Sequence, residues 1–202
     1  MIKNYIFDFG NVLAEFDPYK LTAKYVENPD DIKLVSEVVF DRLYWDKLDR
    51  GTIEDDEVKS EILKRLPPEL GNAGCRVYDN WVLNLTAVSG MESLVKDIHS
   101  KGYGLYLLSS ISKGFAENYH RVPWISELFS CFNGLVLSGN IGIVKPHKEI
   151  FEYLINKYSL EPKECIFIDD SKVNTEGAER IGIRSYLFDG DSTKLRKFLE
   201  EI

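Results

Sequence analysis

Apolar residues run along this chain in two rhythms. Short, mostly unbroken runs (Tyr5 to Phe7, Leu105 to Leu108, Phe132 to Leu137, Cys165 to Ile168 and Ser185 to Phe188) are too short for helices and rich in β-formers. They predict buried strands. Between and after them, apolar residues recur at steps of three and four over Met91–His99, from Ser112 to near Pro123, and over Lys148–Tyr158, Val173–Ile181 and Thr193–Leu199. Gly102 stops the first of these helices, Ser112 is a fitting N-cap for the second, and Lys145-Pro146 opens the third. Strands that alternate with helices over short connections predict an α/β fold, a doubly wound (Rossmann-like) parallel sheet covered on both faces.

One stretch departs from that alternation. Between residues 17 and 87 the three- and four-residue steps continue without a convincing strand, over Tyr19–Val26, Ile32–Leu43, Ile53–Leu66 and Cys75–Leu85. Pro29, Gly51, Pro67-Pro68 and Gly71 to Gly74 punctuate them. The expected organisation is a core of residues 1–16 and 88–202 with a helical insertion at 17–87. No internal repeat or low-complexity segment interrupts it.

The strand ends carry the chemistry. Asp8 follows the first strand, Ser109 the second and Asp169-Asp170 the fourth, while Lys145 begins the helix after the third. In an open parallel sheet these ends face one crevice, where ligands bind. Each residue has a bland alternative, Ser109 and Asp170 as helix caps and Lys145 as a solvated loop charge. Their appearance in order on successive elements favours a common site. Carboxylates gathered without His or Cys suit a hard cation such as Mg²⁺, and a lysine with a hydroxyl beside them completes a seat for a phosphate dianion. His99 and His120 lie on predicted helices and His147 sits next to Pro146, so the histidines form no metal cluster.

Composition narrows the partners. The net charge of −8, from 33 acidic and 25 basic residues, disfavours nucleic acid. No apolar run is long enough to span a membrane, and the chain begins with its first strand rather than a secretory leader. Cys75, Cys131 and Cys165 are odd in number and widely spaced, which fits reduced thiols and a cytoplasmic location. Neither pattern nor composition bears on oligomeric state.

The order of motifs resembles the haloacid dehalogenase superfamily of phosphatases. Residues 6–13 look like its first motif, Tyr106 to Ser109 its second, Lys145-Pro146 its third and Ile166 to Asn174 its fourth. Phe-Asp-Phe-Gly-Asn-Val (7–12), Tyr-Trp-Asp-Lys-Leu-Asp-Arg-Gly (44–51) and Lys-Pro-His-Lys-Glu-Ile-Phe (145–151) are most similar to the branch holding bacterial glucose-1-phosphate phosphatase and the phosphatase domain of bifunctional epoxide hydrolase. The resemblance implies a helical cap at 17–87 and a Mg²⁺-dependent hydrolysis of a small phosphorylated metabolite. In that mechanism Asp8 is the nucleophile that becomes an aspartyl-phosphate. It further implies that Lys145 and Ser109 act in catalysis, and that Ser109, Ser110, Lys145 and Asn11 surround the substrate. Asp8, the Gly10 carbonyl and Asp170 would hold the metal, Asp169 would act through water or hold Lys145, and Asn174 would support the loop.

Gly10 departs from the wider family, most of whose members carry there a second Asp that serves as general acid and base. Such a proton donor is worth about 10²–10⁴ in rate. Its loss favours substrates whose leaving group needs little protonation, such as anomeric sugar 1-phosphates. Glu15 and Asp17 are candidate substitutes, with surface or capping roles as the bland reading. Phe16, Tyr19, Tyr44 and Trp45 are candidates to line a cap pocket, against ordinary core packing. Two alternatives stand beside the phosphatase: a 2-haloacid dehalogenase, in which the same Asp attacks carbon without metal, and a non-catalytic module that binds a phosphorylated ligand.

Overall fold

The apolar runs are unbroken because the sheet they form is covered on both sides. The computed structural model describes residues 1–202. Its strands, in chain order, are β1 (Asn4–Phe7), β2 (Ala14–Glu15), β3 (Thr86–Ala87), β4 (Gly104–Ser109), β5 (Gly134–Leu137), β6 (Cys165–Asp169) and β7 (Arg184–Leu187). Five of them make one parallel sheet in the order β5-β4-β1-β6-β7. The pleat divides the core by parity. Ile6, Tyr106, Leu108 and Phe167 face α9 (Lys148–Tyr158) and α10 (Lys172–Glu179). Tyr5, Phe7, Leu105, Leu107, Ile166 and Ile168 face α6 (Met91–Ser100), α8 (Pro123–Phe129) and α11 (Ser192–Glu200).

The helical insertion differs from expectation in count and boundaries. It holds five helices: α1 (Pro18–Thr22), α2 (Pro29–Val39), α3 (Arg42–Asp49), α4 (Asp55–Arg65) and α5 (Pro68–Asn80). The expected run Ile32–Leu43 breaks because Asp41 caps a new helix, its Oδ1 accepting from the Leu43 N–H at 2.9 Å. Gly71 and Gly74 do not end a helix but lie inside α5. A Cβ on Gly74 would stand 2.4 Å from Leu66 Cδ1 and 2.9 Å from Ile62 Cγ2, so glycine here is what lets α4 and α5 pack closely.

Two further corrections fall elsewhere. α7 (Lys113–Asn118) is shorter than expected, and Pro123 opens α8 instead of closing the preceding helix, proline being favoured in the first turn. The chain also leaves and re-enters the sheet side through a small antiparallel ribbon, β2 against β3, with Val88 N–H donating to Leu13 O at 2.9 Å. Two-residue strands show no period. No helix is long and apolar enough to cross a membrane.

Candidate active site

The sheet order places the acidic residues. The chain reverses direction of growth around β1, whose neighbours are β4 and β6, and the crevice at such a point is where open α/β sheets bind ligands. Asp8 follows β1, and its N–H donates to Ile168 O at 2.9 Å, which sets it beside Asp169 at the end of β6. Lys145 lies between the two, its Nζ 2.7 Å from Asp8 Oδ1 and 2.6 Å from Asp169 Oδ2. The three side chains are 11%, 2% and 0% exposed for Asp8, Lys145 and Asp169, so this is a buried charge cluster. Such a cluster is tolerable only when every charge is paired and hydrogen-bonded. That condition is met here: Asp169 also accepts from Ser171 N–H at 2.8 Å and from Asn174 Nδ2 at 3.0 and 3.2 Å.

The remaining expected residues cluster around this core. Ser109 ends β4 and is buried at the pocket. Ser110 holds the lysine segment, its Oγ accepting from Lys145 N–H at 3.0 Å. Asn11 takes the left-handed backbone region (φ 54°), which Asn tolerates better than most residues, and its Oδ1 closes the turn by accepting from Phe16 N–H at 3.0 Å. Gly10 lines the pocket, and a Cβ there would meet nothing within 4 Å. Oxygens of Asp8, Asp169 and Asp170 all lie within 4.8 Å of one another. This all-oxygen, anionic donor set fits Mg²⁺. Since Lys145, Asn174 and Ser171 already engage Asp169, the residues suited to touch the ion are Asp8 and the exposed Asp170.

The pocket over this cluster has a volume of about 410 Å³, within the range of small-molecule sites. Phe16, Arg42, Trp45, Asp49 and Trp81 also line it. The three rings pack as one cluster, tilted or edge-on to one another, with centroids 5.5 Å apart for Phe16–Trp45, 5.1 Å for Trp45–Trp81 and 5.8 Å for Phe16–Trp81. Tyr19 is exposed and Tyr44 turns to Glu61 at 3.2 Å, so neither joins the pocket. Nor do the candidate acids. Asp17 caps α1 through Tyr19 and Lys20 N–H at 3.0 and 3.2 Å, and Glu15 pairs with Lys20 at 3.7 Å. Asp49, Arg42 and Trp81 were not anticipated. The available signal for Asp49 was its place before Arg50-Gly51 in the 44–51 segment.

Burial dominates the electrostatics. It lifts the Asp8 carboxyl to about 7, with Asp169 adding to the rise and Lys145 opposing it. For Lys145, burial works against the ammonium, but the two carboxylates outweigh it and hold its pKa above the ordinary value. Asp170 is raised by partial burial and by Asp169, against Asn11 and Lys145. Asp49 also rises to about 7: burial and Asp46 raise it, and Arg42 and Lys145 oppose.

Asp49 therefore makes a test of stability. Its folded pKa lies above the ordinary 3.8, so ionising it costs nothing below that value, an increasing amount as pH rises, and the full amount above about 7. Asp49→Asn is expected to stabilise the fold by about 1–3 kcal/mol at pH 8 and by little at pH 4. Urea unfolding at both pH values measures this, and equal stability of the two proteins at pH 8 would contradict it.

Comparison with known proteins shows the family. The model of the haloacid dehalogenase-like hydrolases matches residues 2–182. The chain belongs to that family. Among its relatives, a sesquiterpene phosphatase of Aspergillus oryzae is 24% identical over 181 residues, 88% of this chain and 85% of the relative. A D-ribitol-5-phosphate phosphatase of Bacteroides thetaiotaomicron is 24% identical over 191 residues, 92% of this chain and 91% of the relative. A solved family enzyme from Bacteroides thetaiotaomicron, in complex with magnesium and inorganic phosphate, shares the fold with a TM-score of 0.69 at 22% identity, over 96% of this chain and 99% of that one. The family assignment makes the protein a hydrolase and accounts for its sheet.

Proposed function

We propose that the protein is a Mg²⁺-dependent phosphomonoesterase that acts on a small phosphorylated metabolite, with residues 17–87 as its cap. The observation that carries this reading is the buried Lys145 bridging Asp8 and Asp169, with Asp170 in the same oxygen cluster. Asp8 attacks phosphorus to form an aspartyl-phosphate, which water then cleaves. A carboxylate approaching a phosphate dianion meets repulsion, and Lys145 offsets it while fixing the attacking oxygen. Asp8, Asp170 and the Gly10 carbonyl would hold Mg²⁺, which would supply further positive charge at the phosphoryl oxygens. Ser109 donates to one of those oxygens. Asn174 holds Asp169, which in turn holds Lys145.

A sugar phosphate is the favoured substrate class. The rings of Phe16, Trp45 and Trp81, tilted or edge-on to one another, offer an apolar wall to a sugar, and an anomeric 1-phosphate, whose leaving oxygen needs least protonation, is the favoured ester. The named activities of the ribitol-5-phosphate and sesquiterpene phosphatases support hydrolysis of small phosphate esters. A dehalogenase has no use for the paired Asp169-Asp170. A non-catalytic module has no use for a costly buried cluster.

The test is phosphate release from p-nitrophenyl phosphate, glucose 1-phosphate and glucose 6-phosphate, with Mg²⁺ and with EDTA. Turnover is expected only with the metal, and faster on the 1-phosphate than on the 6-phosphate. Turnover unaffected by EDTA would rule out the metal-dependent mechanism, and a preference for the 6-phosphate would rule out the anomeric 1-phosphate as the favoured ester.

A further inference from the structure

We propose that Asp49, carried on the insertion, is the general acid and base that the sheet side of this site lacks. The inference rests on the phosphatase reading above and adds the group that handles the proton. Gly10 leaves the usual position without a carboxyl, yet the space there is open, since a Cβ meets nothing within 4 Å. Steric exclusion therefore does not explain the missing acid. Asp49 is the one carboxylate from the insertion that lines the pocket with Asp8, Ser109 and Lys145.

Its position is built rather than incidental. Asp49 is the last residue of α3, and its carbonyl accepts from the fully buried Ser138 Oγ at 2.6 Å. Ser138 in turn accepts from Ile111 N–H at 2.8 Å, which ties the end of α3 to the loop after β4. Two residues on, Gly51 has φ +63° and lies so close to the sheet side that a Cβ would stand 2.6 Å from Gly139 O. The segment is thus pinned to the turn after β5 at two points, the Asp49 carbonyl and Gly51. Around that carboxyl stand Arg42 and Asp46 from α3 and Lys145 from the sheet side, and burial outweighs them all in keeping it protonated up to about pH 7.

The proton balance is simple. As the Asp8 oxygen bonds to phosphorus and the P–O ester bond breaks, Asp49 gives its proton to the ester oxygen, and the alcohol leaves neutral. The Asp49 carboxylate then takes a proton from the water whose oxygen attacks phosphorus. The Asp8–phosphorus bond breaks, phosphate departs, and both carboxyls return to their starting states.

Leaving-group dependence tests this on the full chain with Mg²⁺. A nitrophenolate leaves without a proton, whereas the 6-hydroxyl of glucose needs one. For Asp49→Asn, kcat/KM on glucose 6-phosphate should fall about 10²-fold or more, and by less than about tenfold on p-nitrophenyl phosphate. The ratio of glucose 1-phosphate to glucose 6-phosphate turnover should rise. In the unaltered protein, kcat/KM should decline above about pH 7 on glucose 6-phosphate but not on the aryl ester. Adding Gly10→Asp to Asp49→Asn should restore the 6-phosphate rate, because the pocket has room for it. Equal losses on both esters, or matching pH profiles in the unaltered protein, would overturn the role of Asp49 while leaving the phosphatase intact. Absence of phosphate release from every ester by the unaltered protein would remove both.

Discussion

Asp8→Asn is expected to stop phosphate release, by a factor on the order of 10³ or more. The amide keeps the shape of the carboxyl but has no oxygen able to displace the leaving group. Lys145 retains its 2.6 Å partner Asp169, and Asp169 retains Asn174 and the Ser171 N–H, so the variant should fold. Turnover and a thermal melt measured together separate chemistry from collapse. Acid quenching in mid-reaction should trap phosphate on the unaltered protein and none on the variant. Residual turnover above about 10% in a folded variant would exclude Asp8 as nucleophile.

Lys145→Met should cost both activity and stability. The methionine fills similar volume, but Asp8 and Asp169 then share a nearly dry site without their common cation. Removing one member of a buried ion pair typically costs about 3–5 kcal/mol, because the surviving charge is left uncompensated. Mg²⁺ should therefore stabilise the variant against urea more than it stabilises the unaltered protein, since the ion replaces part of the lost charge. A variant within about 1 kcal/mol of the parent in the absence of metal would show that the cluster does not depend on this lysine.

The residues legible in advance are those tied to the sheet. Asp8, Ser109 and Asp169-Asp170 each end or follow an apolar run, and a parallel sheet brings such ends together whatever lies between them. Lys145, at the start of the helix after the third strand, was legible in the same way, while family resemblance added its pairing with Asp169 as one of two options left open. Asp49, Arg42 and Trp81 belong to a different kind of information. They reach the pocket because α3 and α5 lie against the sheet side, and no period in the sequence encodes that docking. Glycine was the most misleading residue type. Gly51 ends a segment, as its φ of +63° requires, whereas Gly71 and Gly74 are contact points within α5. Composition is the same in both cases, and only the neighbouring helix tells them apart. Asp41 shows the converse, a single capping oxygen dividing what periodicity joined.

The ring cluster of Phe16, Trp45 and Trp81 has a consequence for how such a protein diverges. These rings face the pocket, yet they also pack on Phe40 and Phe115 and belong to a hydrophobic core shared by the insertion and the sheet side, where Trp45 Nε1–H donates to Val39 O at 2.7 Å. A substitution that reshapes the pocket for a new compound removes part of that shared core at the same time. Truncating a buried aromatic costs about 3–5 kcal/mol, a large part of the stability of a domain this size. Lineages that change compound at these positions must first acquire stabilising changes elsewhere, whereas Arg42, which lines the same pocket with an exposed side chain, can vary without that preparation.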